Sequence, residues 1–383
     1  MDVLTLNAQN VYPFQGKRLL NLKGGIPALP DRFYPKDPVG RFVQDGDFRQ
    51  GVVSSYEKPD QHLSGLYIYG GFLVPHFGHQ LHDHALSLVQ GARLLHQHPQ
   101  ATLLLCMKPN NRMQIDISNL LQFQFSLLAH FGIPKDRVQF VDQPVCVEQI
   151  LVPSLYRDDG NSLKTSSDVQ QFLTESLSRL GKPLKNLHKN IFLTRSSFKG
   201  GRCGRLAGEA HLATFLSEKG YRAVEPENLF FKRQMQLLLN ADNIILTEGS
   251  AAHFIELLPS LSAKITILCR RPPENRIPAA YFKAMNIKVQ MIECAQQIKP
   301  FTNRETGNPV GYYALGLLDK DLLTTQMALH HDIVFDKAFW QRQHAAEIAD
   351  LTFFRTDDGF PDFCEPVSSA KHDEFLKTLT LIR

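Results

Sequence analysis

Between His76 and His84 the sequence "HFGHQLHDH" sets His76, His79, His82, Asp83 and His84 within nine residues, directly after a run that alternates like a strand. Imidazoles and carboxylates at this density do one of two things. They ligate a metal such as zinc or iron, or they move protons near neutral pH. On a helix advancing about 100° per residue, His76, His79 and Asp83 share a sector of about 60°, with His82 and His84 on its flanks. Imidazole and carboxylate on one face suit a general base that takes a proton from a substrate hydroxyl. Asp83 is the candidate base and His79 its orienting partner, with His76 and His82 placed to hold the substrate. The metal alternative is a hydrolase built on His76, His79 and Asp83. Against it, "HQLHDH" is not the H-E-x-x-H pattern of a helical zinc site, and no second His/Asp cluster of comparable density follows.

A second group of reactive side chains is cationic. In "RSSFKGGRCGR", Arg195, Lys199, Arg202 and Arg205 bring four positive charges within eleven residues, and Gly200, Gly201 and Gly204 let the backbone approach a ligand. Arginine and lysine give charge-assisted hydrogen bonds to phosphate oxygens, so the loop reads as a pyrophosphate clamp. In "NIILTEGS", Gly249 and Ser250 open a helix whose free N–H groups form a second anion site. A non-catalytic binder of anionic glycan would use the same loop.

These groups need a frame to position them. The chain has 383 residues, more than one core usually serves, which predicts two domains of roughly 150 to 200 residues. With 43% hydrophobic and 21% charged residues it is an ordinary globular chain, and a formal charge of +4 gives no sign of a nucleic-acid partner. Six scattered cysteines without a C-x-x-C pair read as free thiols in a reducing compartment. The start "MDVLTLNAQNVYPF" lacks the basic and apolar regions of a signal peptide, and no window has the roughly 18 apolar residues of a membrane span, which predicts a cytoplasmic location.

Residues 1 to 60 are rich in Pro, Gly and Asp and predict irregular strands and loops. From residue 65 the text turns α/β: "GLYIYGGFLV" is a strand, "HQLHDHALSLVQGARLLHQ" a helix, "ATLLLCM" a buried strand, and "ISNLLQFQFSLLAHFG" a helix stopped at Gly132. After "GKPLKNLHKN", read as a hinge, the strands "NIFLTR", "YRAVEP", "NIILTEG", "KITILCR" and "IKVQMIEC" alternate with helical segments. That alternation predicts a parallel sheet, whose ligands sit at the carboxyl ends of the strands, where Arg195 and Gly249 lie. In the last eighty residues "KAFWQRQHAAEIADL" is a helix with Trp340 filling a core, and "TDDGFPDFCEPVSS" is loop.

Four motifs in order resemble glycosyltransferase family 61. They are H-x-x-x-D on a helix (His79, Asp83), a strand ending in Arg195, R-x-x-x-E opening the next helix (Arg205, Glu209), and a helix with Gln234 leading through Ala241 to Gly249. Where the family reads H-G-A followed by Asn, this chain has "EGSAAHF", with Glu248 and Phe254 at those positions. The resemblance covers residues 65 to 270 and implies an α/β, GT-B-like architecture of two Rossmann-like domains facing a cleft. Residues 1–182 would be the acceptor-side domain, 183–299 the donor-binding domain, and 300–383 an extension packing across both. It also implies inverting transfer of a sugar from a nucleotide-diphosphate donor to a glycan hydroxyl, in surface polysaccharide or capsule biosynthesis, without metal or cofactor. Arg195, Lys199, Arg202, Arg205, Glu209, Glu248, Gly249 and Ser250 would bind the donor, His76 and His82 the acceptor, and Asp83 with His79 would do the chemistry. The implied partners are a nucleotide sugar, a glycan acceptor and a peripheral membrane or biosynthetic complex.

Overall fold

The computed structural model describes residues 1–15, 23–26, 29–33, 58–74, 77–107, 122–156, 162–181, 188–197, 204–259, 261–271, 282–283, 285–311, 314–356 and 364–382. The chain forms two compact units. The first comprises Met1–Pro183, Phe230–Met235 and His253–Ser260, and the second comprises Leu184–Leu229, Gln236–Ala252 and Leu261–Arg383. The fold is mixed α/β, with several sheets and helices in chain order.

The first unit carries a six-stranded sheet of β1 (Val3–Gln15), β2 (Lys23–Gly25), β3 (Gln61–Leu73), β4 (Thr102–Met107), β5 (Val138–Val141) and β6 (Val145–Pro153), in the order β2-β1-β6-β3-β4-β5. Strands β6, β3, β4 and β5 run parallel, while β1 lies antiparallel to β6 and β2. Residues 3–15 depart from the expected irregular start by forming one long strand. The ladder that stabilises it pairs Val3 with Pro153 and Val11 with Val145, a partner too distant to read locally. Val11, Phe72, Leu104, Val147 and Ile150 meet in the core beneath the sheet.

Glycines set how closely the next helix, Ala85–Gln97, sits on β3. A Cβ at Gly91 would lie 3.3 Å from the Gly70 Cα, and one at Gly70 would lie 2.6 Å from Leu105 Cδ2. Both positions therefore need the smallest residue, as nothing in a close-packed interior can yield that space cheaply. The chain reaches this helix through one α turn, Phe77–His79, and a π segment, Gln80–His84, where an unbroken helix was expected from His79. A π turn closes i→i+5 bonds and admits an extra residue, so the 100° wheel does not apply across His79–His84. Fully buried Gln80 holds the junction, its Oε1 accepting from the Val74 N–H at 2.8 Å.

The second unit holds a five-stranded all-parallel sheet of β7 (Asn190–Leu193), β9 (Arg222–Val224), β10 (Asn243–Thr247), β11 (Lys264–Leu268) and β12 (Val289–Ile292), in the order β12-β11-β10-β7-β9. These are the five strands read from the sequence. The order reverses between β7 and β10, and a parallel α/β sheet opens a crevice at the carboxyl ends of the strands where this happens. Between the strands lie the helices Glu209–Glu218 and Phe231–Asn240, and the "SAAHFIEL" segment Ser250–Leu257 is a 3-10 helix where an α-helix was expected.

Short strands β8 (Arg205–Leu206), β13 (Cys294–Ile298) and β15 (Leu315–Leu318) form a separate sheet, and β14 (Phe301–Asn303) pairs with β16 (Cys364–Pro366), inside the stretch expected as loop. The helix Lys337–Thr356 buries Trp340 beside Phe335 and Phe339, as expected of a core residue. Cys106, Cys146, Cys269 and Cys364 are free, and among the described residues no helix is long and apolar enough to cross a membrane.

The helix Gln122–His130 stops as its sequence predicts. Gly132 takes φ +71°, and Ile133 N–H returns to Leu128 O at 2.9 Å. His130 is 4% exposed, lies between the rings of Phe131 and Phe231, and has no hydrogen-bond partner for either ring nitrogen among the described residues. Burial, reinforced by the nearby Arg179 charge, pushes its pKa down to about 4. The unfolded chain therefore binds the His130 proton more readily than the folded one. Stability from this site is complete above pH ~6.5 and is lost as the pH falls towards 4, by roughly 3 kcal/mol in total. Urea midpoints at pH 7 and 4.5 should fall further apart in the wild type than in His130→Leu. Equal pH dependence in the two proteins would contradict this account.

Candidate active site

In the second unit, the residues leaving β7 and β10 are locked together by a buried carboxylate. Glu209, fully buried, opens the helix Glu209–Glu218, and its Oε1 accepts from Thr194 Oγ1 (3.0 Å), Arg195 N (2.6 Å) and Thr247 Oγ1 (2.7 Å). Its Oε2 accepts from Leu206 N at 3.1 Å. The carboxylate thus spans the two strand ends at the reversal point and anchors β8 as well. Its described partners hold the ends of β7 and β10 and the start of β8 at one carboxylate. Arg195, held by the Glu209 contact through its backbone, donates from Nε to Gly204 O at 3.0 Å and lays its guanidinium over Gly249. A Cβ at Gly249 would stand 3.2 Å from Arg195 Cζ and closer still to Nη1, so only glycine leaves room for it. Ser250 follows, half-buried, as the first residue of the 3-10 helix.

Two sequence candidates are drawn into pairs. Arg205 is 4% exposed, and its Nη2 meets Asp350 Oδ1 at 2.7 Å while Asp350 Oδ2 accepts from Gly208 N. Glu248 is 3% exposed and accepts from Arg270 N, Arg271 N and Arg271 Nε at 3.1, 3.0 and 2.6 Å, linking the ends of β10 and β11. Of the cationic loop, Arg195 is therefore the described cation at the reversal point. Lys199 and Arg202 lie outside the described residues.

The first unit assembles a second polar cluster. Glu256, with its side chain fully buried, accepts at Oε1 from His82 Nδ1 and His253 Nδ1, both at 2.7 Å, and its Oε2 is paired with Lys164 Nζ. Lys164 also donates to His82 O at 3.0 Å, and the two imidazole rings lie 4.6 Å apart at 35°. Burial alone would raise the Glu256 pKa. The Lys164 ammonium, the His82 charge and the two imidazole hydrogen bonds outweigh it and hold the carboxyl well below its usual range. Burial lowers the His253 pKa against its bond to Glu256. His82, expected to face an acceptor, thus commits its Nδ1 to Glu256.

His79 is half-buried on the α turn before the π segment. Asp83 lies within the π segment, but its side chain falls outside the described residues, as does all of His76. Sequence reasoning missed Lys164, His253 and Glu256. The spacing H-x-x-E at 253–256 was a usable signal, since i and i+3 eclipse on a 3-10 helix. Lys164 offered none.

Residues 77–260 match the family model Glycosyltransferase 61. Over that span the chain is similar to glycosyltransferase family 61. No curated protein matches it. The family 61 match begins two residues before His79 and ends four after Glu256, so it takes in both clusters, and the match supports glycosyl transfer as the class of activity.

If Glu209 is what fixes the strand ends, Glu209→Ala leaves four buried donors short of their acceptor. Unfolding free energy should drop by on the order of 3 kcal/mol, read as a lower urea midpoint at unchanged m-value. A loss below about 1 kcal/mol would show that the strand ends hold without it.

Proposed function

We propose that this chain transfers a sugar, with inversion, from a nucleotide-diphosphate donor to a hydroxyl of a glycan acceptor. The reading includes a GT-B-like organisation, with residues 1–182 serving the acceptor, 183–299 the donor and 300–383 as an extension, acting on the cytoplasmic side in surface polysaccharide or capsule synthesis. The observation that carries it is Arg195 seated over Gly249 at the reversal point of the parallel sheet, with the family 61 match behind it.

In the reaction, the acceptor oxygen attacks the anomeric carbon on the face opposite the diphosphate. The bond from that carbon to the diphosphate oxygen breaks, and the leaving group departs with the bonding electrons. Arg195 meets the charge that develops there, Gly249 and Ser250 add N–H and hydroxyl donors, and Lys199 and Arg202 complete the clamp. Glu209, Arg205 and Glu248 act through these residues, because their own charges are engaged with the chain. Asp83 takes the acceptor proton, oriented by His79, and His76 and His82 border the acceptor.

Donor class is read by thermal shift against a panel of nucleoside diphosphates and their sugars, since a ligand at 100 times its Kd adds about 2.7 kcal/mol of stability. Arg195→Ala should weaken nucleotide sugar and free nucleoside diphosphate together, by roughly 10- to 100-fold, because both present the same phosphates. Unchanged diphosphate affinity would remove Arg195 from the clamp. With a donor in hand, Asp83→Asn should lower turnover by roughly 100- to 10,000-fold at little cost in donor affinity. Near-wild-type turnover in the folded variant would exclude Asp83 as the base.

A further inference from the structure

Of the Glu256 cluster, the proposed transfer draws on His82 alone, at the acceptor's border, and leaves the donor set and shape of the whole cluster unexplained. Two imidazole Nδ1 atoms converge on one carboxylate oxygen, and the ligating atoms of His82, His253 and Glu256 all lie within 4.8 Å of one another. The cluster is largely buried: the side chains are 9%, 13% and 0% exposed. We propose that His82, His253 and Glu256 form a zinc-binding site, with Lys164 as the outer residue that fixes the carboxylate.

Several features of the local backbone favour this role. On the 3-10 helix Ser250–Leu257, with three residues per turn, His253 and Glu256 eclipse and project along one edge. The π segment Gln80–His84 turns His82 towards them, where its Nδ1 reaches the same oxygen. Two nitrogens and one carboxylate oxygen are a borderline-soft set of the kind zinc takes, and three protein ligands leave the fourth position to water. Zinc bonds of about 2.0 to 2.2 Å set neighbouring ligand atoms roughly 3.3 Å apart, so the 2.7 Å contacts need only a small side-chain rotation to admit the ion. Lys164 sits on the other carboxylate oxygen, away from the convergent side, as an outer-shell partner should.

The protons balance without a co-reactant. In the hydrogen-bonded form each imidazole directs an Nδ1 proton at Oε1. When zinc takes the Nδ1 lone pairs, each ring keeps at most a proton on Nε2, any proton displaced from Nδ1 passes to water, and the ionised carboxylate releases none. The site is distinct from the His76, His79 and Asp83 set considered from sequence. It also sits one residue along the chain from Asp83, so the ion would brace that motif by a route independent of the donor.

The test uses the full chain, free of any histidine tag and stripped with chelator, titrated with zinc chloride against a chromophoric competitor and checked by elemental analysis. We expect one equivalent of zinc per chain. Its affinity should fall at least 100-fold in His253→Ala and in Glu256→Gln, and by roughly 10- to 100-fold in Lys164→Met, which keeps all three ligands. Cobalt should fill the same site and give the intense visible bands of a four-coordinate ion in the wild type alone. Circular dichroism of the metal-free variants shows whether they are folded. Failure of the folded wild type to take up one equivalent would overturn the proposal whatever the variants do, and so would wild-type affinity in His253→Ala.

Discussion

Glu209 is the constraint on which the reversal point of the parallel sheet depends. A carboxylate removed from water costs several kcal/mol unless the chain replaces its hydrogen bonds, and here four donors from three different segments do so. The consequence is geometric. Thr247 ends β10 and Thr194 follows the end of neighbouring β7 at the point where the sheet order reverses, and a single charge holds both at fixed separation. Arg195 leaves this junction with its backbone already fixed, so that its side chain can lie over Gly249 rather than sample the solvent. In the proposed reaction the loss of rotamer freedom on meeting the donor phosphate would be correspondingly smaller.

The other charged side chains near the reversal point do supporting work. Arg205 looks in sequence like a member of the cationic clamp, yet it is buried against Asp350 of the helix Lys337–Thr356, and Gly208 donates to the same carboxylate. Glu248 stitches β10 to β11 through Arg270 and Arg271. Each pairs a buried charged side chain with a partly exposed partner, so removing the partner would strand a buried charge. The first unit follows the same rule with Glu256, held ionised by Lys164 and two imidazoles.

Much of this was legible in the sequence because it is local. Five apolar runs bounded by helical segments determined a parallel sheet, and the position of "TRSS" and "TEGS" after two of those runs put Arg195 and Gly249 at strand ends. Gly132 marked a helix stop through its own backbone preference, and Trp340 its core role through size. The ordered motifs from His79 to Gly249 were enough to suggest the family that residues 77–260 match.

What tertiary structure decided is the pairing of charges and the phase of the helices. Charge alone does not say whether an arginine faces a phosphate or an aspartate 145 residues away, and only the fold sends Arg205 to Asp350. Strand β1 exists because β6 offers it a ladder, a stabilisation its own Asn- and Gln-rich text does not show. A buried Gln80 and a π turn set the helical phase over His79–His84, and a 3-10 helix aligned His253 with Glu256. Helical phase and ion pairing are set by what packs against a segment, and in this chain the partners of His82 are supplied from residues 164, 253 and 256.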